Sequence, residues 1–587
     1  MLRPKSTSLL IASLLAACGG GGGGGDRVGV CVPATTPAPL AGDLVPKEVS
    51  EHVGQAGTPA IYADADSVVA GEEIRFHGVV IGDNPGNVSL TIRRLGGESG
   101  VLHSGNIPNV AGERAPDNGW EECCDWDRIY TFRVPSSWQS GLYVAQFQGP
   151  SGNNEVFFVV RPSQPGNSKI VVSVPMTTAQ AYNHWGGKSV YVYNSTSDEK
   201  GERLSMSRPF AGNSRDKFTA WMPYFIQWAA DQGIALEFIA NTDLHFEPGV
   251  LDPYNLFVTV GHDEYWSTEM RAELERHLVA GGNAALFSGN NMWWKIRFEG
   301  PGDGLPRGRM LIDKDDDEQR AENPEEFEGH WYMTDPESRL LGASYARGGW
   351  RQDFDNGDIP DFVVQQPDHW AFAGSGLSKG DDFGADDMII SFEADGADFE
   401  WQGSGADRIA VPTGTDGTPQ GLQILATAAL GNGWMNNFDN EGDYHAGKSL
   451  YTGEPGAWAT MVAYEHTGGG EVFNVATVDW SYALSDCAGL KPECAITKNV
   501  LTKLQVADKN PLPAPPAPAP VPAPGPAPAP SPTPAPAPAP SPAPAPTPAP
   551  TPAPAPAPAP KPDPAPGPAP APTPAPAPAP APSPADC

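Results

Sequence analysis

Leu256-Phe257-Val258-Thr259-Val260 is an apolar run, and Gly261-His262-Asp263-Glu264-Tyr265-Trp266 follows it directly. The run reads as a buried strand. A helix is expected from about Thr268 to Ala280, with Ser267 as its N-cap and Gly281-Gly282 as its stop. Ala284-Ala285-Leu286-Phe287 is then the next strand. Strand, helix and strand in this rhythm make a βαβ unit in a mostly parallel sheet. Ligands of such sheets bind at the carboxyl ends of the strands.

The same rhythm extends outward. Lys169 to Val174 and Ala235 to Ala240 read as strands, and Lys217 to Asp231 carries Phe218, Trp221, Met222, Phe225 and Trp228 at helical spacing. The stretch from about 300 to 450 is rich in Gly, Asp and Pro and is expected to lay long loops and short strands over that core. Upstream the texture changes. Glu73 to Val79, Val88 to Arg93, Tyr130 to Val134 and Tyr143 to Phe147 alternate with period two between turn residues. That pattern predicts a small, immunoglobulin-like β-sandwich over 58–162. Arg161-Pro162-Ser163-Gln164-Pro165-Gly166 marks the boundary to an α/β domain over 168–507. The fold class is therefore α+β and multidomain.

The two ends address the compartment. Arg3 and Lys5 precede an apolar run from Leu9 to Ala17, the layout of a secretory signal over 1–18. Leu14-Leu15-Ala16-Ala17-Cys18 resembles the lipobox of bacterial lipoproteins, which implies that Cys18 carries lipid. Gly19 to Gly25 then opens a Gly/Pro-rich linker over 19–57. Residues 511–587 are Pro-Ala repeats, expected to be a disordered polyproline II spacer. At about 3.1 Å per residue it reaches on the order of 230 Å, enough for cell-wall contact. The expectation is an exported chain on a lipid anchor, facing the periplasm of an outer-membrane organism or the cell surface, with no other membrane contact.

Net charge is -34 and almost none of it lies in the tail, so the folded body is acidic. That argues against nucleic acid or an anionic membrane surface as partner. Cys487 and Cys494 flank a short Gly/Pro-containing loop and are expected to form a disulfide, which an oxidising compartment allows. Cys31, Cys123, Cys124 and Cys587 cannot be paired from sequence.

Three strand ends carry polar groups beside aromatics: Tyr182-Asn183-His184-Trp185, His262-Asp263-Glu264-Tyr265-Trp266 and Ser288-Gly289-Asn290-Asn291. An imidazole and carboxylates on a strand-to-helix turn suit metal binding or acid/base work. They also have a plain structural use, with Asp263 or Glu264 favouring the helix dipole and His262 bonded in the core. A cysteine-nucleophile reading fails, because residues 168–486 contain no cysteine.

Gly141-Leu142-Tyr143, Tyr182-Asn183-x-x-Gly186-Gly187-x-Ser189-x-Tyr191, Gly261-His262-x-Glu264-Tyr265-Trp266, Ser288-Gly289-Asn290 and Phe473-Asn474-x-x-Thr477-Val478-Asp479-Trp480 together resemble the large subunit of N,N-dimethylformamidase and its relatives. The resemblance spans roughly 58 to 507. It implies a glutamine-amidotransferase-like, flavodoxin-like α/β domain and hydrolysis of an amide. It implies an Fe(III) centre held by two tyrosinates and one glutamate, which map to Tyr143, Tyr182 and Glu264. His262 and Asn290 would either support the metal's ligands or touch substrate, and Glu393 in Phe392-Glu393-Ala394-Asp395-Gly396 would be a further catalytic carboxylate. With Tyr143 on the sandwich, such a site would form between the two domains. Two departures stand out: Ala476 replaces a glycine frequent in the last motif, and nothing here resembles the small subunit of that enzyme. Three functions follow. One is a metal-dependent hydrolase acting on a small amide or other C–N bond. Another is a non-catalytic surface protein binding glycans or peptides through its tryptophans. The third is a hydrolase without iron that uses His262 and Glu264 directly.

Overall fold

The structure is a computed structural model that describes residues 53–97, 100–300, 307–314, 329–436, 457–487, 491–507 and 509. The signal segment, Cys18, the glycine run, Cys31 and the Pro-Ala tail with Cys587 lie outside the described residues.

The upstream part is two facing sheets. Pro59–Ala63, Glu73–Ile81, Gly112–Glu113 and Arg128–Arg133 make one; Ser67–Val69, Asn153–Arg161, Gly141–Gln148, Gly86–Arg94 and Val101–Val110 make the other. Period-two patterning explains the packing. Ile74 and Phe76 from the first sheet meet Leu90, Ile92, Phe147 and Phe158 from the second in one apolar core. The second sheet also uses its outer face. Leu142, Val144, Phe157 and Val159 join the core of the downstream part, where Phe157 stacks on Phe218 with ring centroids 4.5 Å apart. Ser140 Oγ accepts the backbone N–H of Phe238 at 2.8 Å across the same seam.

The downstream part is built on a nine-stranded mixed sheet. Glu237–Ala240, Ile170–Val174, Leu256–His262, Asn283–Gly289 and Glu471–Asn474 are parallel neighbours in that order. The sheet continues antiparallel through Trp458–Glu465, Gln423–Ala429, Phe362–Val364 and Asp382–Phe383. The expectation of a mostly parallel sheet therefore holds for one half only. Part of the stretch from 300 to 450 does not lie over the sheet; it completes it. Gln423–Ala429 supplies small and β-branched residues that pair antiparallel with Trp458–Glu465.

The helix Thr268–Val279 begins at Ser267, whose Oγ accepts the Met270 N–H at 3.3 Å. Gly281 ends it at φ 85°, a conformation that favours glycine. The helical stretch from Lys217 to Asp231 is divided into Asp216–Thr219 and Met222–Asp231. Pro223 sits in the first turn of the second helix, where its missing N–H and fixed φ open a helix rather than continue one. Cys487 is bonded to Cys494, and Cys123 to Cys124.

Candidate functional site

The central parallel strands run out at one edge of the sheet, and their ends deliver the site. Leu256–His262 ends on a wholly buried imidazole. The strand can turn there because Gly261 takes φ 80° and lies against Trp221; a Cβ at this position would come within 2.9 Å of the Trp221 side chain. Glu264 is fixed by its own N–H, which donates to Thr178 Oγ1 at 2.9 Å. Asn283–Gly289 leads to Asn290, whose φ of 47° is one that asparagine tolerates. The Asn290 N–H donates to Asp395 Oδ1 at 2.7 Å. Tyr182 closes the helix Met176–Tyr182, and Glu393 opens the strand Glu393–Gly396.

These side chains meet around Glu264. The Tyr182 hydroxyl donates to Glu264 Oε2 at 3.2 Å, and the Tyr191 hydroxyl lies 3.3 Å from both carboxylate oxygens. The Tyr265 hydroxyl donates to that of Tyr191 at 2.7 Å. His262 Nε2 is 3.1 Å from Glu264 Oε2 and 3.0 Å from Glu393 Oε2. Asn290 Nδ2 donates to Glu393 Oε2 at 3.1 Å. On the far side of the imidazole, Lys217 Nζ is 3.0 Å from His262 Nδ1 and 3.6 Å from the centre of the Tyr182 ring. An ammonium has donors and no acceptor. With Lys217 charged, Nδ1 accepts, and the ring proton sits on Nε2 facing the two carboxylates.

The electrostatics follow from burial among charges. Burial and the neighbouring Glu264 carboxylate push the Tyr182 and Tyr191 phenols well above their usual range. Burial alone would raise Glu264, yet the His262 imidazole and the Lys314 and Lys217 ammonium groups outweigh it and hold the carboxyl below its usual value. Burial alone would lower His262, and the Glu393 and Glu264 carboxylates reverse that, leaving it raised. Lys217 is lowered by burial.

Of the residues expected from sequence, Tyr182, His262, Glu264, Asn290 and Glu393 come together. Tyr143 does not. Its ring lies inside the sandwich, stacked on Trp138 at 4.9 Å, and its hydroxyl donates to the Gln139 carbonyl at 2.7 Å. It points into the sandwich because it shares the inward face of its strand with Ala145 and Phe147. The side chains named here as meeting around Glu264 all come from the downstream part. Tyr191 and Lys217 were the residues sequence reasoning missed. Tyr191 stood in the quoted motif without a role. Lys217 headed an aromatic helical stretch, and a lone cation there was the available signal.

A hard cation would fit this donor set. Two phenol oxygens and one carboxylate converge in a buried space, and all are oxygen ligands suited to Fe(III). Among the described residues no group of three or more His, Cys, Asp and Glu side chains is placed to hold a metal ion. A metal here would therefore depend on the tyrosines. A cavity of about 560 Å³ lies elsewhere, at the seam between the two parts, beside Arg94, Trp138 and Glu237. Several of its polar groups already serve the protein: Arg94 donates to Gln139 and Ser140, and Glu237 accepts the Gly166 and Ser168 N–H groups.

The chain belongs to the N,N-dimethylformamidase beta subunit-like, C-terminal family, whose match covers residues 89–494. That match starts inside the strand Gly86–Arg94 and runs past the last residue of the site. No curated protein matches the chain.

Proposed function

We propose that this protein is an exported, lipid-anchored hydrolase that cleaves an amide or another non-peptide C–N bond. The observation that carries the reading is the buried cluster of Tyr182, Tyr191, Glu264, His262 and Glu393 at the carboxyl ends of parallel strands, in a chain of this family.

In this reading the sheet's parallel half is glutamine-amidotransferase-like, with the strand order 2-1-3-4-5 of flavodoxin-like folds in its favour. The sheets before it form an immunoglobulin-like sandwich, with domains at 58–162 and 168–507. Tyr182, Tyr191 and Glu264 would hold Fe(III), with Tyr191 taking the role that the resemblance gave to Tyr143. When bound, the ion supplies Lewis acidity toward the substrate carbonyl and lowers the pKa of water. Glu393 takes the proton from the attacking water. Asn290 holds that carboxylate by its Nδ2 donor. Glu393 then delivers that proton to the leaving nitrogen as the C–N bond breaks, while His262, its ring oriented by Lys217, keeps its Nε2–H toward the carboxylates. Water thus adds hydroxide to the acyl carbon and a proton to the amine.

The surface-binding alternative leaned on the tryptophans. All sixteen are buried or half-buried, so they build the core rather than an exposed aromatic platform. In this reading the partner is a small amide. Lipid on Cys18 provides the only membrane contact, and the Pro-Ala tail spans cell-wall material.

Metal analysis and a visible spectrum of the mature protein test this reading. Stoichiometric iron with a tyrosinate charge-transfer band that is lost in both Tyr182→Phe and Tyr191→Phe is expected. Colourless protein that refuses iron would remove the ferric part, and amide hydrolysis persisting in it would assign the chemistry to His262 and the carboxylates directly.

A further inference from the structure

Arg208 is a buried cation without an anion. It follows the strand Arg203–Ser205, is 1% exposed, and among the described residues forms no ion pair with a carboxylate. Burial pushes its pKa down to about 9. Its Nη1 donates to the Lys188 carbonyl at 3.0 Å and to the Trp185 carbonyl at 3.2 Å, and its Nη2 donates to the Gln180 carbonyl at 2.8 Å. Its buried Nε has no partner among the described residues. A guanidinium taken out of water and met only by neutral acceptors is unfavourable. What the three bonds hold in place must offset that.

All three carbonyls belong to the segment that carries the two phenols. Gln180 lies in the helix that ends at Tyr182, and Trp185 and Lys188 lie in the turn from there to Tyr191. Extended chain between Tyr182 and Tyr191 would part them by roughly 30 Å. Here their ring centroids are 4.5 Å apart. The Val190 N–H closes the turn from within, donating to the Ala181 carbonyl at 3.1 Å. Arg208 and its neighbours hold it from outside: Asn183 Nδ2 donates to the Pro209 carbonyl at 2.8 Å, and Asn183 Oδ1 accepts the Ala211 N–H at 3.1 Å. Resting on the ferric reading above, we infer that Arg208 is the positioning residue of the phenol pair: with Asn183 it fastens the turn to residues 208–211, so that both hydroxyls already face Glu264 when an ion arrives. A planar fork of donors suits carbonyls spread around one point. A lysine ammonium, a compact charge on a flexible stem, does not reproduce it.

The test is uptake of ferric iron by the full mature protein. The iron is supplied as its citrate complex and followed through the tyrosinate charge-transfer band, with a melting curve of each metal-free protein. Arg208→Lys keeps the charge and loses the fork; Arg208→Gln loses both. Both should bind iron about 10- to 100-fold more weakly than wild type and, at saturation, show a shifted and weaker band. Tyr143→Phe, in the sandwich core, is the comparison for lowered stability alone and should match wild type in affinity and band. A lower melting temperature in the Arg208 variants, with wild-type affinity and an unchanged band at saturation, overturns the inference and leaves the ferric reading standing. Should neither variant fold, Asn183→Ala frees the same turn from Pro209 and Ala211 without altering a charge, and is held to the same outcomes. Wild-type protein that takes up no iron overturns the ferric reading, and this inference with it.

Discussion

Tyr143 and Tyr191 separate what a side chain touches from what its motif suggests. Tyr143 spends its hydroxyl on the Gln139 carbonyl inside the sandwich. Tyr143→Phe should cost about 0.5–1.5 kcal/mol of stability and leave hydrolysis unchanged, as read by denaturation and by assay. Tyr191→Phe should lower activity by about 10- to 100-fold or more, as read by assay. The opposite ranking would return the ligand role to Tyr143. His262, Glu264 and Asn290 could be read from sequence because each stands at or within two residues of a strand's carboxyl end, where the fold class alone narrows position. Tyr191 and Lys217 could not. They reach Glu264 and His262 through a glycine turn and a short helix whose closure depends on long-range packing, which no local pattern encodes.

Among the elements, the helix Thr268–Val279 was legible at both ends, because a cap and a stop are local chemistry. Ser267 Oγ serves the Met270 N–H and also lies 2.8 Å from His245 Nδ1. Ser267→Ala should therefore lose about 0.5–2 kcal/mol in denaturant unfolding. The break at Pro223 was equally local but was overrun by the aromatic periodicity around it. The antiparallel half of the sheet was illegible for another reason: its strands come from a Gly- and Asp-rich region and are defined by their partners. Glu337 opens the short helix Ser338–Leu341 and accepts from Ser344 Oγ. Burial pushes its carboxyl up to about 8. A carboxyl raised in the folded state binds its proton more tightly there than in the unfolded chain. Its contribution is complete below the ordinary carboxylate range and is lost as pH rises through about 8. Glu337→Gln keeps a neutral group in place, so its melting temperature should fall less than that of wild type as pH rises across that window. An identical pH dependence in the two proteins would show that Glu337 does not titrate there.

At the scale of the whole molecule, the proposed lipid anchor is open to a direct test. Replacement Cys18→Ser should move the protein from the membrane pellet to the soluble fraction without altering its melting curve. Retention in the pellet would mean that something other than lipid holds it. In the described residues, a close glycine pair adds to the seam between the sandwich and the downstream part. Gly119 of the sandwich's long loop lies so close to Gly186 that a Cβ on Gly186 would fall 2.3 Å from the Gly119 carbonyl carbon. Trp126 from that loop also meets Trp185 edge-on at 5.5 Å. Gly186 sits midway between Tyr182 and Tyr191. The sandwich's loop therefore packs against the turn between the two phenols, while the side chains named around Glu264 come from the downstream part. A bulkier residue at this glycine pair should therefore be felt in the chemistry next door, although it would touch no side chain of the site.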